Sequence, residues 1–199
     1  MPRRKVVFKC GEYYHVYNRG HNRDDIFFEK DDYFLFLRKL REFVVEEVVS
    51  ADGSKRRSVE VIAYCLMTNH YHLLVRLIDE DFSRRMQAFG QAVVNSLNRR
   101  RARESGLFQG PFQAKHVDEP EYLAHLTRYI HLNPVAAGLV SRPSEWEFSS
   151  YREYLGTRAG TLPTAELVIR EFGSRERYQR FVEDTVAYPD GMDGFTFDE

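Results

Sequence analysis

Apolar residues along the chain switch between two spacings, and the switches divide it into elements. Glu12 to Asn18, EYYHVYN, is dense in aromatic and β-branched residues and stops at Arg19-Gly20, which predicts a first strand and a turn. Phe34, Leu37, Leu40, Phe43 and Val44 recur at helical spacing behind Asp31-Asp32, a capping pair, and predict a helix from about Tyr33 to Val49. Ser50 to Ser58 reads as a loop from its Asp-Gly and its charge. Val59 to Met67 and His70 to Leu77 read as antiparallel strands joined tightly at Thr68-Asn69. Helical spacing returns over Ser83 to Arg101, with Met86, Phe89, Val93 and Leu97 on one stripe, and Phe112 to Val117 reads as a fourth strand. Asp118-Glu119-Pro120 starts a further helix, expected to end near Leu132 because Asn133 precedes Pro134.

Strand, helix, strand, strand, helix, strand is the order of an α+β, ferredoxin-like (RRM-like) fold. It predicts an antiparallel sheet with helices on one face and the other face open to a ligand. Beyond Ser141, Trp146 to Leu155 and Thr164 to Glu183 predict accessory helices, and Tyr188 to Glu199 is an acidic tail.

A chain of 199 residues, 43% hydrophobic and 14% aromatic, suffices for one substantial core. No run approaches the roughly eighteen apolar residues of a membrane span. The opening MPRRKVVFKCGEYY lacks a signal peptide's apolar centre, so the expectation is a cytoplasmic protein with no membrane partner. Cys10 and Cys65 form neither a disulfide framework nor a zinc pattern. The net charge of −1 hides an asymmetry: Arg84 to Asp118 carries seven basic against two acidic residues, with Arg99, Arg100, Arg101 and Arg103 nearly adjoining. Such a surface attracts phosphate by counterion release, and a solvated helix end accounts for the same run.

The candidate chemistry lies in AYCLMTNHYHLLV, Ala63 to Val75. Side chains alternate along a strand, so His70 and His72 project from one face about 7 Å apart at the backbone. Two such histidines serve one metal ion or simply hydrogen-bond to neighbours. On the helix after Pro120, His125, Tyr129 and Asn133 are spaced i, i+4, i+8, beside an apolar stripe of Leu123, Leu126 and Ile130. Joined, the two halves make a site: neutral His70 and His72 with an oxygen of Asn133 for a divalent cation, and Tyr129 to attack a phosphodiester.

Four stretches carry a family resemblance: YHVYNRGHNRDDIF (Tyr14 to Phe27), AYCLMTNHYHLLV, GLFQGPFQA (Gly106 to Ala114) and RYIHLNPVAAGLV (Arg128 to Val140). In this order they resemble the motifs of the REP-associated tyrosine transposases, single-tyrosine HUH enzymes related to the IS200 type. The resemblance implies a histidine pair at His70 and His72, a nucleophile at Tyr129 and a third metal ligand at Asn133. It implies Mg²⁺ or Mn²⁺ and cleavage and rejoining of single-stranded DNA beside small hairpins; a transfer that conserves the bond needs no nucleotide cofactor, and the sequence leaves monomer and homodimer both open. The expected organisation is then a catalytic domain over residues 1–140, accessory helices over 141–187 packed on it, and the tail 188–199. Pro111, Gln113, Ala136 and Thr68 depart from the family's pattern, and three of them remove expected phosphate contacts.

Residue type and position nominate DNA contacts. Arg19, His21 and Arg23 lie on the turn after the first strand, and Arg99, Arg100, Arg103 and Lys115 are expected to flank the site. Phe108 and Phe112 either stack bases or pack the core. Three functions stay open: a tyrosine strand transferase, a catalytically silent hairpin-binding protein of genome organisation or regulation, and a histidine metallophosphoesterase that uses water.

Overall fold

The computed structural model describes residues 6–45, 47–49, 55–102, 106–118 and 120–184. Strands β1 (Tyr13–Arg19), β4 (Val59–Leu66), β5 (His70–Leu77) and β6 (Gln113–Val117) form one antiparallel sheet in the order β4-β5-β1-β6. Helices α1 (Lys30–Phe43) and α2 (Phe82–Arg101) complete the ferredoxin-like unit. Both pack on one face, burying Tyr33, Phe36, Leu40, Phe82, Met86, Phe89, Val93 and Leu97 against Tyr14, Val16, Tyr71, Leu73 and Val75. Because strand side chains alternate, His15, Tyr17, His70, His72 and Leu74 point to the opposite face.

That opposite face is only partly open. Helix α3 (Pro120–Ala136) crosses it, setting Leu123, Leu126 and Ile130 against Ile62, Ala63, Cys65, Leu74 and Val117. The chain after residue 140 extends this second core with Tyr151, Tyr154, Val168, Ile169, Tyr178 and Val182.

Several predicted boundaries move, each for a local reason. Helix α1 starts at Lys30, a turn before the expected Tyr33. Asp32 is fully buried and caps backward, accepting from the Phe28 and Glu29 amides at 3.0 and 3.3 Å. The helix stops at Phe43, not Val49. The valine-rich end is a short strand, β2 (Glu47–Val49), paired with β3 (Lys55–Arg57) inside the expected loop, as β-branched residues favour. Helix α3 runs through Pro134 instead of ending at Leu132. It resumes with the Ala137 amide bonded to the Asn133 carbonyl at 2.9 Å and closes at Gly138, φ +68°.

Trp146 to Leu155 is not one helix. Its first half is a turn held on the edge of β4, where Ser149 bridges to Cys65: the Leu66 amide donates to Phe148 O at 2.9 Å and the Ser150 amide to Tyr64 O at 2.9 Å. Pairing of this kind protects an otherwise open sheet edge. Only α4 (Tyr151–Tyr154) is helical there. Gly173, at φ +74°, and the Ser174 cap divide the last predicted helix into α5 (Glu166–Phe172) and α6 (Arg175–Glu183). The acidic tail 188–199 lies outside the described residues.

Candidate functional site

Sheet register assembles the site. Tyr17 of β1 lies opposite His72 of β5, and Arg19 lies opposite His70. Each histidine is oriented through its Nδ1. That of His70 is 2.6 Å from Asn69 Oδ1, and that of the fully buried His72 is 2.9 Å from Nε2 of the equally buried His15. His70 Nδ1–H donates to the amide oxygen, because an amide oxygen only accepts. The His15 and His72 rings stack with centroids 5.1 Å apart.

Helix α3 brings the other half. Asn133, half-buried in its last turn, lies close enough to His70 and His72 to raise the basicity of both, and its Nδ2 donates to the Tyr129 carbonyl at 2.9 Å. The Tyr129 ring meets His72 edge-on, with centroids 5.4 Å apart, and His15 at 6.2 Å. The i, i+4 spacing of Tyr129 and Asn133 thus sets both on the helix side that faces the histidines. His125, one turn earlier, instead packs against Phe181 at 5.1 Å.

Burial holds the imidazoles neutral. It is the main cause that brings His15 down to about 3, with the charge of Lys115 adding to it. Burial and then Arg19 bring His70 down to about 4, against a raising hydrogen bond from Asn133. His72 falls well below its usual value through burial, then His15, His70 and Arg19, again opposed by Asn133. Neutral imidazole is the form that ligates metal. Among the described residues no three His, Cys, Asp or Glu side chains form a metal cluster. The third donor here is the amide of Asn133. Two imidazoles, their ring centroids 5.1 Å apart, and one neighbouring amide are an incomplete donor set of the kind that suits a divalent cation with sites left for water or phosphate.

A family model described as "Transposase IS200 like" matches residues 11–133. The chain belongs to that family. A protein of Haemophilus influenzae described as a REP-associated tyrosine transposase is 30% identical over 103 residues, 46% of this chain and 58% of that protein. The match therefore spans little more than half of the relative's length. Among solved structures, a REP-associated tyrosine transposase bound to a REP hairpin shares the fold, with TM-score 0.61 and 20% identity over 81% of this chain and 93% of that one. Among the described residues, no helix of the chain is long and apolar enough to cross a membrane.

The nominated DNA contacts separate into two groups. Arg19 and Lys115 belong to the site. The Arg19 guanidinium is lowered by burial and by Arg23, with a smaller opposing effect of Tyr129, and Lys115 Nζ sits 5.9 Å from the Tyr17 ring centre. Exposed His21 and Arg23 follow on a 3₁₀ turn whose Arg23 carbonyl accepts from Asn69 Nδ2 at 3.1 Å. The arginines of α2 are elsewhere, on the helix that packs the face opposite the histidines. Arg100 does not flank the site: it bonds Glu29 at 3.0 Å and Asp31 at 3.3 Å, neutralising the acidic first turn of α1. Arg101 pairs with Asp32 beside it. Arg99 is exposed on the same helix end, and Arg103 lies outside the described residues.

His15 is the residue that sequence reasoning passed over. It lies within the strand YHVYN, and its only local signal is that His15 and Tyr17 share a strand face. Its partnership with His72 depends on the pairing of β1 with β5, which no local periodicity reveals.

Proposed function

We propose that this transposase is a metal-dependent single-strand DNA endonuclease and strand transferase that acts beside hairpins through Tyr129. The proximity of His70, His72 and Asn133 to one another, with the Tyr129 ring edge-on to His72, carries this reading. Mg²⁺ or Mn²⁺, held by those three residues, would polarise the scissile phosphate. Tyr129 Oη forms the new bond to phosphorus, and the bond from phosphorus to the sugar 3′-oxygen breaks. Tyr129 gives up its hydroxyl proton as its bond forms and the departing 3′-oxygen takes one up, so the step balances. One phosphodiester is exchanged for another, so rejoining needs no nucleotide cofactor.

Arg19 and Lys115 bind the strand's phosphates at the rim, with His21 and Arg23 continuing the track along the turn. Asn69 and His15 fix the two imidazole rings, so the ligating nitrogens are in place before DNA arrives. The hairpin substrate rests on the relative described as REP-associated and on the hairpin bound by the solved neighbour.

The test is a labelled hairpin oligonucleotide with single-stranded flanks, incubated with protein and Mg²⁺ or Mn²⁺. A denaturation-resistant protein–DNA adduct is expected from the wild type and none from Tyr129→Phe. Cleavage that survives Tyr129→Phe and is lost in His70→Ala would favour water as nucleophile. Tight hairpin binding without cleavage under either metal would favour a silent binding protein.

A further inference from the structure

A groove of about 540 Å³ lies on the other side of the sheet from the histidines, between α2 and the segment 106–112. Gln87, Gly90 and Gln91 lie with Met86 and Val94 on its helical wall, and Phe108 and Phe112 line it from the segment 106–112. Among its described lining residues there is no Asp, Glu, Lys, Arg or His. A neutral groove with amides on one wall and aromatic rings on the other repels no base and carries no cation to draw a phosphate.

Gly90 is the telling position. Glycine is a poor choice in the interior of a twenty-residue helix. Close packing does not demand it, since a Cβ built there would meet no heavy atom within 4 Å. The missing side chain leaves open groove and nothing else.

The groove is tied to the site through the end of β1. The Gln109 amide donates to the Arg19 carbonyl at 2.9 Å, the His21 amide donates to Leu107 O at 3.0 Å, and Gly20 bridges to Phe108. Arg19 therefore presents its side chain to the catalytic face while its backbone is fastened to the groove wall.

We infer that this groove receives an unpaired nucleobase of the DNA flanking the hairpin, sandwiched against Phe108 and read along its edge by Gln87 and Gln91. Stacking on an aromatic ring holds the base, and amide side chains match the donor and acceptor pairs of base edges. The inference rests on the proposed DNA substrate and adds a second contact that supplies base preference, while the phosphate contacts supply position.

Gly90→Leu fills the groove and improves helix propensity, so its thermal midpoint is expected at or above that of the wild type. Fluorescence anisotropy would compare a blunt hairpin, hairpins flanked by each of the four bases, and one with abasic flanks. Wild type is expected to prefer a flanked over an abasic hairpin by about fivefold or more, the range of one stacked base. Gly90→Leu should lose that preference. Gln87→Ala combined with Gln91→Ala should keep the preference for a base but no longer distinguish which one. An unchanged preference in Gly90→Leu would overturn the groove assignment, as would a wild type that binds the hairpin but ignores its flanks; both leave the proposed function standing. A wild type that binds no hairpin would remove both readings.

Discussion

His72 has one nitrogen to spare for a metal only if the other carries the proton. His15 decides this. With its Nε2 2.9 Å from His72 Nδ1, a neutral His15 that accepts there fixes the proton on His72 Nδ1 and leaves the Nε2 lone pair for the proposed metal. His15→Phe keeps the ring stack and removes the acceptor. Mn²⁺ affinity, read by calorimetry or electron paramagnetic resonance without DNA, is expected to fall about 10–100-fold. His15→Gln, which restores an acceptor, should recover part of the loss. Equal weakening by Phe and Gln would mean that His15 only fills space. At this scale the sequence was informative where geometry is local. His70 and His72 are two apart on a strand, and Tyr129 and Asn133 four apart on a helix, so each pair shares a face by backbone period alone. His15 and His72 are fifty-seven residues apart and meet through register, which a period cannot express. The arginine run misled for a related reason: Arg100 looked like a surface charge because the acidic turn it binds, Glu29 and Asp31, is remote in sequence.

Tyr129, the proposed nucleophile, is only as well placed as α3, and α3 is anchored through His131. This fully buried ring, on the helix side away from the sheet histidines, bonds Tyr178 Oη at 2.8 Å through Nδ1 and Ser150 Oγ at 2.8 Å through Nε2. Tyr178 in turn donates to Thr127 Oγ1 at 3.0 Å, and Ser150 Oγ accepts the Tyr64 amide at 2.9 Å. One side chain thus ties α3 to α6 and to β4. His131→Leu fills a similar volume but strips partners from two buried hydroxyls, each of which costs about 1–3 kcal/mol to leave unmade. Urea unfolding at pH 7.5 is expected to show a loss of about 2–4 kcal/mol, and an unchanged midpoint would show that the chain of hydrogen bonds carries no stability. Elements like α3 were legible because the apolar stripe of Leu123, Leu126 and Ile130 is a strong helical signal. The strip from Trp146 to Ser150 was not. Its conformation is set by hydrogen bonds to β4, including Trp146 Nε1 to Leu66 O at 2.9 Å, and tertiary pairing overrides local spacing there.

Across the whole molecule the buried histidines couple the fold to pH. Both sheet faces are covered, one by α1 and α2 and the other by α3 and the later helices, and imidazoles in the second core are shut away from water. His131 shows the consequence most simply, since burial alone lowers it to about 3. In the unfolded chain the same ring titrates near 6.5. Above that pH both states are neutral and the difference is silent. Between pH 6.5 and about 3 the unfolded chain binds a proton that the folded chain refuses, so stability falls as pH falls. At pH 5 this one group costs the wild type about 2 kcal/mol, at 1.36 kcal/mol per unit of separation. His131→Leu has no such proton to bind. Its deficit relative to wild type should therefore shrink by about 2 kcal/mol between pH 7.5 and pH 5, because the wild type descends and the variant, in this respect, does not. Paired urea titrations at the two pH values measure the gap directly. A deficit that stays constant would mean that His131 accepts a proton within the fold, and that the hydrogen-bonded chain through Tyr178 and Ser150 accommodates an imidazolium.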